Sequence, residues 1–484
     1  MNSQPEVMCI GGNFQLAEHA RIFENVGVIY VQPNGPKKRS HRADAIRSKD
    51  NKYSLVTLNP NGVFDTSQIA VTEALALSVP EQRERFLEVA KNKDLKVISV
   101  GVSDGTLKDK PGAGIWYDLA EFLHKRTETG ITSPLSILSS DNAFNNGRLL
   151  LNNLISATAN NPYDSLGHNI DLDQSLRSNV YFHNCVVDTM VMGLPGAKAL
   201  AHIEGLLKTG DPATIDDVLT VFVEPSPNVS RRLIIEDPNR VWGNIDAKDA
   251  ITISTDSIFP YAVVKYEALN FFHTAQVHWG YVAGLLDVHA NLQDDVLGAY
   301  VRNAAEAKAK IVSAYDFFAG TPIEVGAMSA EFTERCNNEF LGHQNMFIVR
   351  NGTGKIIERV RGSLVKTNGK VDNGMYGTIA SIIREKSPIR VEQGEDGQDY
   401  IGEKDNGDTY KIEDTDPFIM QTMMGVPQMA PRGVIDIKVK EILKHVGLDG
   451  LNPKLQSGVT DLVYQLRRHP AMEVLQTYAN KCFQ

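Results

Sequence analysis

The chain has 484 residues, 42% hydrophobic and 22% charged, which is too long for one simple core and suggests two or three globular domains. With 49 Lys and Arg against 59 Asp and Glu the net charge is −10, so the surface as a whole repels nucleic acid and anionic lipid, and neither is expected as a partner. The first residues show no cationic start before a long apolar run, and no apolar stretch reaches the ~18 residues of a membrane span, so a cytoplasmic protein is expected. Cys9, Cys185, Cys336 and Cys482 lie far apart without a C-x-x-C pair, which argues against a disulfide framework or a cysteine zinc site.

In chain order, short apolar and β-branched runs predict strands at 28–32, 53–58, 96–100 and 135–138. Helical spacing of apolar residues predicts helices over 69–76, 81–91 and 115–126, so the first half reads as βαβ units building a mostly parallel sheet. A strand pair is expected at 218–223 and 232–236. From 262 to 315 the sequence is Ala-, Leu- and Val-rich with few breakers, which predicts a helical domain beginning near residue 259. Residues 351–416 are rich in Gly, Asn, Asp and Lys and read as a solvated excursion with turns between short strands, with helices resuming over 434–446 and 455–466. The expected fold is an α/β Rossmann-like N-terminal domain (1–258) followed by a mainly α-helical C-terminal domain (259–484).

The N-terminal run Val7-Met-Cys-Ile-Gly11-Gly12-Asn13-Phe14 is an apolar strand entering glycines and then a helix, a turn that can hold a dinucleotide pyrophosphate on backbone amides. It is an imperfect G-x-G-x-x-G: if Gly12 is the second glycine, Ile10 and Gln15 occupy the other two positions. No acid stands at 31–32 to meet the adenosine ribose, while Lys37, Lys38 and Arg39 follow, so NADP is open beside NAD, and a solvated basic loop is equally open. Gly101-Val-Ser103-Asp104-Gly105 fits the G-x-S-x-G elbow of serine hydrolases, but the polar, Pro111-interrupted sequence after it does not supply the helix that an elbow needs.

Lys265, Asn270 and His273 are the most informative group. On an α-helix Asn270 would lie about 140 degrees and His273 about 80 degrees around from Lys265, so the three need not share one stripe. A desolvated lysine can accept a proton, an asparagine amide can donate to a developing alkoxide, and a histidine can position a hydroxyl. A snorkelling lysine with a core histidine is the plain alternative. His278 and His289 lack the spacing of a zinc motif.

These residues resemble the polyol-specific long-chain dehydrogenases, the mannitol dehydrogenase family that includes mannitol 2-dehydrogenase, fructuronate reductase and tagaturonate reductase. Lys265, Asn270 and His273 match its K-x-x-x-x-N-x-x-H signature. Ser140-Asp-Asn-Ala-Phe-Asn-Asn-Gly147 is similar to its S-x-D-N-x-x-x-N-G stretch, and Asn184-Cys-Val-Val-Asp188 to its N-x-M-V-D segment. Gly12-Asn-Phe, Ser103-Asp-Gly, Glu224-Pro and Ile235-Glu-Asp237 are weaker echoes. The resemblance implies a metal-independent NAD(P)-dependent oxidoreductase with Lys265 as general base and Asn184 and Asn270 bonding the reacting oxygen. His273 would orient the substrate. It also implies cofactor contacts from Gly11, Gly12, Asn13, Phe14, Ser103, Asp104, Asp141 and Asn142, and a small polyol, ketose or sugar acid as substrate. Mannitol and fructose are the first expectation; a hexuronate reductase and a non-catalytic nucleotide-binding relative are the alternatives, the latter motivated by Ile10, Leu16 and Ala262.

Overall fold

The computed structural model describes residues 5–23, 26–33, 42–102, 107, 114–177, 179–192, 201, 219–227, 233–242, 251–255, 257–367, 373–394, 397–414 and 416–482. Ser103, Asp104 and the basic trio Lys37, Lys38 and Arg39 lie outside them. The chain divides into two compact units, residues 1–262 and 263–484.

The first unit is built on β1 (Val7–Gly11), α1 (Asn13–Ile22), β2 (Val28–Gln32), α2 (Arg42–Ser48), β3 (Lys52–Thr57), β4 (Asp65–Ala70), β5 (Glu73–Ala76), α3 (Pro80–Val89), β6 (Val97–Gly101), α4 (Gly114–Glu128), β7 (Leu135–Ser139), α5 (Asn146–Asn160), α6 (Leu172–Arg177) and β8 (Val180–His183). Six strands form one sheet in the order β5-β2-β1-β6-β7-β8, every neighbouring pair parallel. Counted along this sheet alone, that is the 3-2-1-4-5-6 order of the doubly wound dinucleotide fold. β1 shows why the strands read as continuous apolar runs. Met8 and Ile10 join a core with Phe86, Trp116 and Phe122 on one face, whereas Val7 and Cys9 pack with Phe23, Leu233 and Trp242 on the other. Each such fully buried side chain contributes about 1.5–3 kcal/mol of transfer free energy.

Two expectations are corrected here. Residues 69–76 are not a helix: they contain the end of β4 and all of β5, and β5 pairs with β2 through Ile29–Gln32. Ala- and Leu-rich sequence has helical spacing, but the open edge beside β2 gives these residues a full set of backbone partners. Nor do the strands at β11 (Thr220–Val223) and β12 (Leu233–Glu236) pair with each other. β11 runs between β10 (Val191–Met192) and β3, while β12 runs between β9 (Cys185–Val187) and β13 (Ile251–Ser254).

The second unit is helical around α8 (Asn270–Ala283), which follows a short helix α7 (Phe259–Val263) and a π-helical segment (Val264–Leu269). Residues 270–280 are all buried, the pattern of a central core helix. It packs against α9 (Val288–Gln293), α10 (Asp295–Ser313) and the helix Asn373–Glu385. Gly280 permits the approach of α9, since a Cβ there would stand 2.0 Å from Asn291 Oδ1. The stretch 351–416, expected as a solvated excursion, is largely interior. A second π segment (Ile356–Val360) leads into Arg361–Lys366, and Asn373–Glu385 buries Met375, Ile379, Ile382 and Ile383. Only the antiparallel three-stranded sheet over Arg390–Gly394, Gly397–Glu403 and Thr409–Lys411 matches the expected short strands. The helices Arg432–His445 and Pro453–Leu466 stand where they were expected. Among the described residues no helix is long and apolar enough to cross a membrane.

Buried histidines make stability depend on pH in both units. Burial lowers His19 and His278 to about 4 from an ordinary 6.5, in the latter despite Glu385 Oε2 at 3.3 Å from its Nδ1. A histidine depressed in the fold is neutral there and protonates first in the unfolded chain, so its contribution is complete above about 6.5 and declines toward 4. The raised carboxyls Asp118, Asp405 and Asp414 oppose this only as pH reaches the carboxylate range. Melting temperature is therefore expected to fall steadily between pH 6.5 and 4; a flat profile would show that these imidazoles are not buried neutral.

Candidate active site

In the first unit the sheet order reverses between β1 and β6, and their last residues, Gly11 and Gly101, are paired in register. Gly11 has φ +154, and a Cβ on it would stand 2.2 Å from the Gly101 carbonyl oxygen. Tyr30 fixes the turn by donating its hydroxyl to the Gly11 carbonyl at 2.9 Å. Gln15, in the place of the motif's third glycine, is fully buried with its amide against the bare face of Gly101, where a Cβ would meet Nε2 at 2.5 Å. The close helix–strand packing that a glycine on α1 normally permits is thus obtained with the glycine on β6. Ser99 donates to Gln15 Oε1 at 3.2 Å and lies 3.0 Å from Ser140 Oγ. Gly11→Ala is expected to cost at least about 2 kcal/mol, because both the strained φ and a backbone oxygen oppose the new methyl. Thermal melting and an NADH fluorescence titration would register it, and unchanged values in both would contradict this packing.

Among the described residues no side chain caps the N terminus of α1. Asn13 donates to the Met192 carbonyl at 3.4 Å while its Oδ1 is buried without a hydrogen-bond partner among the described residues, and Phe14 is half-buried. A bent glycine turn, a ten-residue helix with its first amides uncapped and an orphaned amide oxygen suit a dinucleotide at this strand end.

The β7–α5 connection holds the other expected cofactor residues. Asp141 Oδ2 accepts from the Val102 amide at 3.3 Å, tying this loop to the end of β6, and Asn142 is exposed. Asn146, which the motif contained but to which no role was given, is the organiser. Its Nδ2 reaches the carbonyls of Ser139, Asp141 and Cys185 at 2.8, 3.1 and 2.9 Å, and its Oδ1 accepts from the Cys185 amide at 2.9 Å. Gly147 lets α5 pass the backbone of His183 and Asn184, which a Cβ would approach to 2.4 and 2.9 Å. Asn184 itself lies between β8 and β9 and donates Nδ2 to Glu236 Oε2 at 2.9 Å. Among the described residues its Oδ1 receives only a long 3.4 Å contact from the Arg148 amide.

In the second unit the expected angular separation of Lys265 and Asn270 does not hold. The segment carrying Lys265 is π-helical, so hydrogen bonds run from residue i to i+5, and the Asn270 amide donates to the Lys265 carbonyl. The pair therefore lies nearer one face than an α-helix would place it. Lys265 is 6% exposed, with Nζ 5.2 Å from the centroid of Phe332. His273 packs edge-on against the same ring at 5.1 Å and places Nε2 3.7 Å from Cys336 Sγ. Burial pulls the His273 imidazole well below its usual range, with His343, Arg359, Lys265 and Lys355 adding to the effect. It is neutral at neutral pH, with one ring nitrogen a donor and the other an acceptor.

Residues that the sequence gave no reason to choose brace this segment. Arg359, from the second π segment, donates to the Asn270 carbonyl at 3.2 Å and to Thr274 Oγ1 at 2.8 Å. Glu267, between Lys265 and Asn270, accepts from Lys308 Nζ at 3.3 Å, Tyr315 at 2.8 Å and Ser363 at 3.1 Å. Gly362 makes room for that carboxylate, since a Cβ there would stand 2.4 Å from Oε1.

The first unit matches the mannitol dehydrogenase Rossmann domain over residues 37–248. The chain has the fold of mannitol 2-dehydrogenase from Pseudomonas fluorescens, solved as a ternary complex with NAD and D-mannitol. The TM-score is 0.72 at 16% identity, over 99% of this chain and 95% of that one. It also has the fold of a D-sorbitol dehydrogenase in substrate-free form, with TM-score 0.69 and 17% identity over 98% and 95% of the two chains. Altronate oxidoreductase of Enterobacter sp. (strain 638) is 22% identical over 423 residues, 82% of this chain and 78% of that protein. An uncharacterized oxidoreductase of Escherichia coli (strain K12), YdfI, is 27% identical over 177 residues, which span 37% of this chain and only 32% of that protein. The expected fold class is thus borne out, and the mannitol dehydrogenase Rossmann domain over residues 37–248 supports the expected family and a dehydrogenase activity.

Proposed function

We propose that this dehydrogenase uses NAD to interconvert a secondary alcohol of a polyol or sugar acid with the corresponding ketone, mannitol and fructose being the first pair to test. The observation that carries the reading is the π-helical turn that brings Lys265 nearer the face of Asn270, one turn from a neutral His273. A lysine able to pass a proton and an asparagine able to donate an amide hydrogen then belong to one buried element. Lys265 takes the alcohol proton in oxidation and returns it in reduction, and by its charge stabilises the alkoxide, the task that zinc performs in other alcohol dehydrogenases. Asn270 donates its amide hydrogen to the same oxygen as negative charge develops, and His273 orients a substrate hydroxyl.

NAD, when bound, supplies the hydride acceptor. Its pyrophosphate suits the Gly11–Gly12 turn and the amides that open α1, with Asn13, Phe14, Asp141 and Asn142 along the same strand ends; Ser103 and Asp104 complete the set in this proposal. Gln32 ends β2 with its Oε1 accepting from the Ala43 amide at 3.0 Å, so no carboxylate stands there to exclude a ribose phosphate, and NADP belongs in the test.

A sugar acid is the second reading. Arg335, a guanidinium able to pair with a carboxylate, lies 5.3 Å from the centroid of Phe332, the ring that Lys265 also contacts, and the altronate oxidoreductase relative points the same way. Nicotinamide absorbance across hexitols, ketohexoses and keto-uronates, with each cofactor, tests both readings. Turnover of at least one member is expected and the best substrate names the class; NADH binding without any turnover would favour a non-catalytic relative.

A further inference from the structure

His343 carries no motif, yet it lies beside the proposed catalytic group. Its ring meets His273 at 5.5 Å between centroids with the planes 72 degrees apart. The Nδ1 atoms of both imidazoles are buried, and neither has a hydrogen-bond partner among the described residues. Two orphaned ring nitrogens so close together are unusual, because a buried polar atom without a partner costs stability unless a ligand or water completes it. His273 Nε2 faces the Cys336 thiol at 3.7 Å, and the His343 carbonyl accepts from the Val288 amide at 2.9 Å. The turn is fixed further by Gly342 at φ +59 and by the bridge between Gln344 and Asp287.

We propose that His343 is a substrate-binding residue, forming with His273 a pair of imidazoles that together read two neighbouring hydroxyls of the sugar next to the reacting carbon. This rests on the proposed reaction and adds to it a specificity determinant. Burial lowers His343 to about 4, with Lys265 and Arg335 contributing, so it is neutral under the same conditions as His273. A neutral imidazole nitrogen donates to or accepts from a hydroxyl, which can do either in return. A carboxylate, which only accepts, would be served better by a cation. The pair therefore suits the carbinol carbons of the chain, whichever group ends it.

The test compares the best ketose or keto-acid with analogues lacking one hydroxyl near the carbonyl, in wild type, His343→Leu and His343→Asn, with NADH. Wild type is expected to lose about 10- to 100-fold in kcat/KM on one analogue. His343→Leu is expected to raise KM for the parent substrate by a similar factor, with a smaller change in kcat, and to reduce the preference for parent over analogue to about 3-fold or less. His343→Asn should retain part of it. An undiminished preference in His343→Leu, or an unchanged KM, overturns the proposal and leaves the two nitrogens as a water site; should His343→Leu melt early, His343→Asn is judged by the same criterion. If wild type binds NADH but reduces no sugar, the proposed reaction fails separately. Calorimetric titration of hexitols into the NADH complex then decides the role of His343: binding heat lost in the variant supports it, and equal or absent heats overturn it.

Discussion

Lys265→Ala is expected to lower kcat by about 100- to 10,000-fold while leaving NADH affinity unchanged, the range by which a positioned acid–base group accelerates a reaction. Lys265 belongs to the helical unit, whereas the glycine turn, the Asn13 amide and the start of α1 belong to the other. The change should therefore appear in turnover and not in the cofactor titration. Lys265→Arg should not restore the rate, because a guanidinium keeps its proton at any working pH. Asn270→Ala should fall by about 100- to 1,000-fold, the effect of removing one donor to a developing oxyanion. Stopped-flow absorbance beside an NADH fluorescence titration separates the two effects. A Lys265→Ala enzyme within a factor of ten of wild type would assign the proton to another group.

The largest effect on stability is expected from Lys308→Met. Lys308 is fully buried, its Nζ also within hydrogen-bond reach of Ser363 and 5.4 Å from the Phe271 ring, and it is the cation that neutralises Glu267. Removing it leaves a carboxylate inside the helical unit held only by hydroxyls, a change that costs about 3–5 kcal/mol when a buried pair is broken on one side. For a unit of this size the melting temperature should fall by roughly 6–20 °C. Lys308→Met with Glu267→Met should recover much of that loss, because no uncompensated charge then remains. Glu267 sits in the π turn between Lys265 and Asn270, so activity should also fall in the folded fraction of the single variant. A single variant as stable as wild type, or a double variant that sums the two losses, would show that the pair is not a buried unit.

The parallel sheet was legible because strands such as Val28–Gln32 and Val97–Gly101 are buried on both faces and therefore read as unbroken apolar runs. Residues 69–76 were misread because local Ala and Leu spacing carries no information about an open sheet edge. Glycine misled in another way over 351–416: Gly352 and Gly362 are not turn residues there but points of close approach, to Ile382 and Lys386 in one case and to Glu267 in the other. Likewise the glycine motif of the first unit looks degraded only when β1 and α1 are read alone, because the compensating glycine is Gly101 on another strand.

The residues Lys265, Asn270 and His273 were visible from their spacing, yet their geometry was not, since an angular argument assumes 3.6 residues per turn and the chain widens to a π-helix at that point. Arg359, Glu267, Lys308 and His343 stand in no motif. Their parts arise from contacts between segments some 40 to 100 residues apart in sequence, which no local pattern records.

The central claim is direct hydride transfer between a nicotinamide and a sugar carbinol carbon, with Lys265 moving the proton. Mass spectrometry of the product formed from a ketose and NADH deuterated at the transferring position of the ring, in wild type and in Lys265→Ala, measures it most directly. The account predicts one deuterium on the new carbinol carbon with wild type and almost no labelled product with the variant. Unlabelled product, or equal labelling by both proteins, would contradict it.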